Sequence, residues 1–411
     1  MSSIRRKRRN FLERERIVRE SGVRSVFTPH TPVADERYLR GRETEVSHLV
    51  AQHDTPGQHG LLFGSRGVGK SSLAKATSGI VESHSTPSYS YRCDSRTTFE
   101  DLIAHPLAVT GVDVDVVESE SENEAESGWN AGLTLLGKRR HKRESALERR
   151  KRPRDIRPSD AANWLGKSTG LLVIDEAEAA PLRTLFHVAE FIKQLSDTQS
   201  ELKMLVVGVA ETAQELTASH PSVSRCLMEV HVGPMADAHL SEIITAGAEV
   251  LHIRFEDSVV NDIVRVSRGY PHFTHLLALK CAEEVLVGEE DLVDSMVFKS
   301  ALTNAYVGAE GKLRNDYGDA VRSESPRYRQ VLLAASDLVG EHHREFTAKS
   351  LREGLSRLVG EEVTQAELNN YLRRLVSDDG TAVLTRTKKG VYCFSDPRMP
   401  SLVMIANSRV D

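Results

Sequence analysis

Gly64-Ser65-Arg66-Gly67-Val68-Gly69-Lys70-Ser71 decides the reading of this chain, because it fits the phosphate-binding pattern G-x-x-x-x-G-K-[ST] at every fixed position. The apolar run Leu61-Leu62-Phe63 precedes it and the helix formers Ser72-Leu73-Ala74-Lys75-Ala76 follow, so strand, loop and helix stand in the order the motif needs. Gly64, Gly67 and Gly69 permit a tight turn whose N–H groups point inward around a phosphate, and the positive end of the next helix adds to that field. On this reading Lys70 reaches the outer phosphates, the Ser71 hydroxyl holds Mg²⁺, and Val68 and Ser72 belong to the same nucleotide-contacting stretch.

The second half of a nucleotide site is expected where an apolar strand ends in acids. Leu171-Leu172-Val173-Ile174-Asp175-Glu176 has that form, and its unbroken apolar character suits a strand buried on both faces of a parallel sheet. Asp175 is expected in the Mg²⁺ shell, and Glu176 is left to orient or deprotonate a water. Tyr89-Ser90-Tyr91-Arg92-Cys93, Met204 to Val209 and Leu227 to Val232 read as further strands, alternating with amphipathic helices such as the one carrying Leu185, Val188, Phe191 and Ile192. The pattern predicts an α/β fold: a P-loop NTPase parallel sheet with its ligand at the strands' carboxyl ends.

From Met235 the pattern is helical, with Leu240, Ile243 and Ile244, then Val259, Ile263 and Val264, then Phe273, Leu276 and Leu277, and Gly269-Tyr270-Pro271 marks a helix start. This predicts a helical lid over 234–310. Over 311–411, Val331 to Val339, the Leu351/Leu355/Leu358 stretch and a helix capped by Thr364 and Glu367 precede a hairpin at Val383 to Phe394, the order of a winged helix-turn-helix. Asn369, Asn370, Arg373 and Arg374 are expected on the outer face of its third helix, with Lys388 and Lys389 on the wing, side chains suited to base edges and phosphates.

With 411 residues, 39% hydrophobic and 27% charged, the chain is a soluble multidomain protein by composition, and no stretch is long and apolar enough to span a bilayer. Cys93, Cys226, Cys281 and Cys393 form no C-x-x-C pair, which favours a reduced, cytoplasmic setting over a disulfide framework. A net charge of −5 confines any nucleic-acid contact to local basic runs: one at Arg5 to Arg9, in an N-terminal tail spanning 1–25, and one at Lys138 to Arg154, within a charged insertion at 113–158 of the 26–233 core.

Gly41-Arg42-Glu43, the phosphate loop, Leu172 to Glu176, Val206-Val207-Gly208-Val209-Ala210 and Gly269-Tyr270-Pro271, in this order, resemble bacterial AAA family ATPases, relatives of the replication-initiator and STAND branches of AAA+ proteins. The resemblance spans roughly 26–290 and, more loosely, the C-terminal winged helix. It implies that Arg42 lies beside the base. Two departures stand out: Glu211-Thr212 occupies the place of a polar sensor, and His272 that of the lid arginine, with Arg268 the nearest guanidinium. The G-x-P form is similar to STAND switches, whose lid contacts nucleotide. Arg225 falls where the family places an arginine finger, which would complete the site of a neighbouring subunit.

Together these expectations describe a low-rate ATPase that uses ATP-Mg binding and hydrolysis as a conformational or assembly switch, acting on or with DNA, as a homo-oligomer or beside an effector protein. Two alternatives remain open from the residues: a DNA-binding regulator whose nucleotide is scarcely hydrolysed, and an ATPase partner subunit of an effector or nuclease complex. A metabolic kinase fits less well, since lid and winged helix offer no evident small-substrate pocket.

Overall fold

Strands β1 (His59–Gly64), β2 (Ser88–Arg92), β5 (Gly170–Asp175), β6 (Leu202–Gly208) and β7 (Leu227–Val232) form one sheet in the order β2-β5-β6-β1-β7. Every neighbouring pair is parallel. The computed structural model describes residues 13–32, 40–110, 116–120, 149–153, 156–219, 222–322, 325–340, 344–376 and 382–408. Parallel pairing requires crossovers, and helices supply them on both faces.

Successive strand residues point to opposite faces, and the core divides accordingly. Leu62, Val173, Leu205 and Val207 face helix Lys70–Ser83 and the lid. Leu61, Leu172, Ile174, Met204 and Val206 face helices Phe99–Thr110, Pro158–Leu165 and Leu182–Asp197. Between β2 and β5 the chain adds an antiparallel pair, β3 (Val116–Glu120) with β4 (Arg149–Pro153). Within the charged insertion, residues 113–115, 121–148 and 154–155 lie outside the described residues, as does the basic cluster at Arg5 to Arg9.

The lid follows β7 as helices Asp237–Leu251, Asp257–Ser267, Pro271–Gly288 and Ser295–Gly308, with short parallel strands β8 (Arg254–Phe255) and β9 (Leu292–Val293) tying two of its loops. Helix Pro271–Gly288 is buried along most of its length, from Phe273 to Val285. The N-terminal segment departs from the expected tail over residues 13–27. Val18, Val23 and Phe27 are buried, Phe27 in the space that the absent side chain of Gly247 leaves, and Arg14 and Arg24 pair with Glu284 and Glu283 of the lid at 3.2 and 3.0 Å. Sparse apolar positions concealed this strap, because its packing rests on Val18, Val23, Val26 and Phe27 alone among the described residues.

Beyond the lid come helices Arg327–Leu338, Ala348–Val359 and Gln365–Leu375, and strands β10 (Glu345–Thr347), β11 (Leu384–Lys388) and β12 (Val391–Phe394) in the order β10-β12-β11. The Thr364–Glu367 capping box forms as the sequence indicates, with both reciprocal bonds present. A last helix, Met399–Asn407, was not anticipated. It packs against Arg327–Leu338 and the lid, and Ser401 Oγ donates to the Ser267 carbonyl at 3.2 Å, so lid and C-terminal unit share one continuous core. Among the described residues no helix is long and apolar enough to cross a membrane.

Two histidines in this core are held neutral. Burial, aided by the nearby Lys203 charge, pushes His59 down to about 3, and burial beside His272 pushes His275 down to about 4, against 6.5 for a solvated imidazole. His59 Nδ1 accepts from the Met204 N–H and His275 Nδ1 from the Thr28 N–H. The unfolded chain protonates first as pH falls, so this stability is complete above about pH 6.5 and erodes toward pH 4 at about 1.4 kcal/mol per pH unit per histidine. Thermal melts across this window should show a falling Tm, with a shallower fall in His275→Gln. A variant profile parallel to the parent's would remove His275 from the account.

Candidate functional site

The carboxyl ends of β1, β5 and β2 open on a cavity of about 570 Å³. Parallel register sets its acidic edge: Arg92 lies opposite Asp175 at the tips of β2 and β5. The phosphate loop leaves β1 at Gly64 and enters its helix at Lys70, with Gly67 and Gly69 in the left-handed region at φ 80° and 99°. Gly67, Val68, Gly69, Lys70, Ser71, Ser72, Asp175 and Glu176 all line this cavity. Gly64 does not; it anchors the loop from below, and a Cβ there would stand 2.2 Å from the Val232 carbonyl oxygen of β7.

Lys70 curls back on its own loop, Nζ donating to the Gly64 and Ser65 carbonyls at 3.0 Å each. Burial pulls its ammonium below the ordinary lysine range, against the field of Glu178, Asp175 and Glu176. Phosphate oxygens would replace two neutral acceptors with charged ones and restore the cation's compensation. Ser71 and Asp175 supply hard oxygens, and among the described residues no three His, Cys, Asp or Glu side chains are grouped to hold a metal by themselves. That donor set suits Mg²⁺, which completes its shell with phosphate oxygens and water.

Glu176 occupies a left-handed backbone position, φ 53°, and its carboxylate is held by the Arg92 guanidinium through a bond from Nε at 2.8 Å and a second from NH2. This pairing keeps the Glu176 carboxyl below the usual carboxylate range. Sequence reading missed both Arg92, whose role appears only when β2 pairs with β5, and Glu178. The latter lines the cavity 3.9 Å from Arg66 and carries a buried, unpartnered Oε2.

At the other end the cavity is walled by Thr28 to Pro32, Arg40, Met235, Ile243, Pro271, His272 and His275. Arg42 is there too, but its guanidinium is committed: NH1 to Glu45 at 2.8 Å, and NH2 to the Gly233 and Val68 carbonyls at 2.7 and 3.3 Å. It braces the loop against the lid junction. His272 lines the cavity with Nδ1 2.7 Å from the Pro29 carbonyl, and burial lowers its pKa.

Three candidates fall elsewhere. Thr212 packs under Gly208 with a buried, unpartnered hydroxyl and does not line the cavity. Arg268 points to a different cavity behind the loop. Arg225 is exposed in the turn before β7, away from this chain's own site.

The C-terminal unit contributes what no motif announced. Arg398, at the start of the last helix, is buried against the phosphate loop, and a Cβ on Gly67 would meet its Cδ at 3.1 Å. Its guanidinium is paired with Asp396 at 2.7 and 3.0 Å and with Glu310 at 2.5 Å. Burial would lower its pKa, but these two carboxylates more than offset that and raise it. Arg398 and Glu310 both line the same cavity as Lys70 and Asp175, and Arg344 bonds Ser65 Oγ.

The family model described as nSTAND1, Novel STAND NTPase 1, matches residues 29–283. Among solved structures the chain is similar to the Walker-type ATPase PABY2304 of Pyrococcus abyssi, 18% identical, with 92% of this chain and 99% of that one covered at a TM-score of 0.50. The Aeropyrum pernix ORC1 protein, solved in complex with DNA, is 16% identical, with 94% and 95% covered at 0.46. The Thermotoga maritima RuvB Holliday junction branch migration motor is 16% identical, with 89% and 96% covered at 0.46. At such identities the first likeness speaks to fold alone. No curated protein matches the chain.

The loop geometry separates two glycines. Gly64→Ala drives a methyl into the β7 backbone and should cost about 1–3 kcal/mol in urea unfolding. Gly69→Ala meets nothing within 4 Å and pays only for its positive φ, on the order of 1 kcal/mol. Equal losses at the two positions would contradict the clash.

Proposed function

We propose that this chain, which belongs to the Novel STAND NTPase 1 family, binds ATP with magnesium between its phosphate loop and the β5 tip and hydrolyses it slowly to shift its C-terminal unit. The observation that carries the proposal is the meeting of Lys70, Ser71, Asp175 and Glu176 with Arg398 and Glu310 in one cavity. Gly67, Val68, Gly69, Ser71 and Ser72 would cradle the phosphates, with Arg42 and His272 at the base end, the latter beside the Pro29 carbonyl. When bound, Mg²⁺ would neutralise phosphate charge and tie the nucleotide to Ser71 and Asp175.

Charge balance supports slow, gated chemistry. Glu176 meets an incoming water in competition with Arg92, and Arg398, with three of its five N–H donors on Asp396 and Glu310, meets a phosphate in competition with those carboxylates. A polyphosphate arriving beside Glu310 repels that carboxylate and attracts Arg398, which stands on the last helix, so nucleotide and C-terminal seating are coupled through one side chain. Arg225, being remote from its own site, would act as a finger only in a neighbouring copy, which ties turnover to assembly.

DNA contact through the winged-helix face is the finer part of this reading. Asn369, Asn370 and Arg373 are exposed on helix Gln365–Leu375, with Arg386, Lys388 and Lys389 exposed on the hairpin. Arg374, expected beside them, is half-buried and turns its NH2 inward: it donates to the Asp319 and Arg322 carbonyls at 3.2 and 2.6 Å and lies 4.6 Å over the Tyr328 ring. Its NH2 thereby closes the end of helix Gly311–Ala320.

Lys70→Ala should weaken ATP binding at least about tenfold, the worth of charge-assisted phosphate bonds, measured by titration calorimetry. Glu176→Gln should bind as the parent does and lose about 10²-fold or more in turnover. Parent-like binding and hydrolysis in both variants would refute the assignment. Replacing Arg373, Lys388 and Lys389 together should flatten the salt dependence of duplex DNA binding by about 3 in slope. Undiminished binding at every salt concentration would exclude this face.

A further inference from the structure

A second cavity, of about 420 Å³, lies behind the phosphate loop, between the loop's first residues and the C-terminal unit. Tyr270, Val339, Phe394 and Pro400 give it apolar walls, and three arginines, Arg66, Arg268 and Arg344, line it. Pockets of this size with apolar walls and a few convergent polar groups are the ordinary form of small-molecule sites, and they favour junctions between units.

Arg268 is the feature that packing alone leaves unexplained. It stands at the end of helix Asp257–Ser267 in a left-handed conformation, φ 49°, which directs its side chain away from the nucleotide and into this space. Only part of its donor fork is engaged. NH1 donates to the Val339 carbonyl, NH2 lies 3.6 Å from a largely exposed Asp337 carboxylate, and Nε is buried without a partner. Burial lowers its pKa despite Asp337, as expected of a cation whose compensation is incomplete. Asp396, the carboxylate on the wall, is already bound by Arg398. The balance of charge facing this cavity is therefore positive.

We propose that this cavity binds a small ring-bearing monoanion, a carboxylate or sulfonate on an aromatic or alicyclic body, with Arg268 receiving the anionic oxygens and the apolar walls taking the ring. Arg268 belongs to the lid, the opposite wall to the C-terminal unit, and Arg344 bonds Ser65 of the phosphate loop. An occupant would hold all three together, so it would act on the seating of the C-terminal unit from the side opposite the nucleotide. The site does not depend on the ATP reading.

The probe is 8-anilinonaphthalene-1-sulfonate, with its uncharged relative N-phenyl-1-naphthylamine as control, titrated into the full chain by fluorescence. The sulfonate should bind at one equivalent, and at least about tenfold more tightly than the uncharged compound, the worth of one charge-assisted contact. Arg268→Met, which keeps volume and removes charge, should erase that preference, and Val339→Trp, which fills the cavity, should abolish binding. Binding of a fluorescent ATP analogue should stay within about twofold in both variants. Equal affinity for charged and uncharged probes, or indifference to both substitutions, would overturn the proposal. If Val339→Trp fails to fold by circular dichroism, Arg268→Met and the uncharged probe decide the matter without it.

Discussion

A lysine ammonium carried below the protein surface must be compensated, and the geometry around Lys70 is built on that requirement. Two loop carbonyls and three carboxylates surround it. Those groups converge because parallel strands present their carboxyl ends on one side of the sheet, whatever their separation in sequence. The absent side chain of Gly64 lets β1 run close beside β7 at that edge. Remove the parallel register and the cation loses both its loop and its acids.

The same accounting covers the other charges that meet at this cavity. Lys70 is satisfied by carbonyls, Glu176 by Arg92, Arg398 by Asp396 and Glu310, and Arg42 by Glu45 and two carbonyls. A buried charge left unpaired would cost several kcal/mol, so each of these four groups rests on an internal partner. Under the proposed function, this exchange of partners is the switch, and the C-terminal unit takes part because one of the exchanged cations stands on its last helix.

Continuity of the core gives that exchange mechanical reach. Lid and C-terminal unit share a single apolar cluster, running from Phe273 through Val331 and Leu332 to Leu402 and Ile405. Close-packed interiors shift between discrete arrangements and do not deform smoothly, so a displacement at Arg398 is passed to whole helices. The cavity behind the loop interrupts this packing where lid, loop and C-terminal unit meet, which is where an added ligand would have most leverage.

What the sequence determined by itself is the local chemistry. The glycine spacing, Lys70 and Ser71, the apolar strand closing on Asp175 and Glu176, and the Thr364–Glu367 cap were legible because each is a contiguous pattern whose residues act within a few positions of one another. What only the tertiary structure decided is what each charge meets. Arg92 and Glu176, Arg398 and Glu310, and Arg374 and the Asp319 and Arg322 carbonyls are brought together by strand register and helix packing. Pattern along the chain records what a residue offers to its immediate neighbours, whereas a guanidinium's partner is chosen by whichever segment the folded core brings within about 3 Å of it.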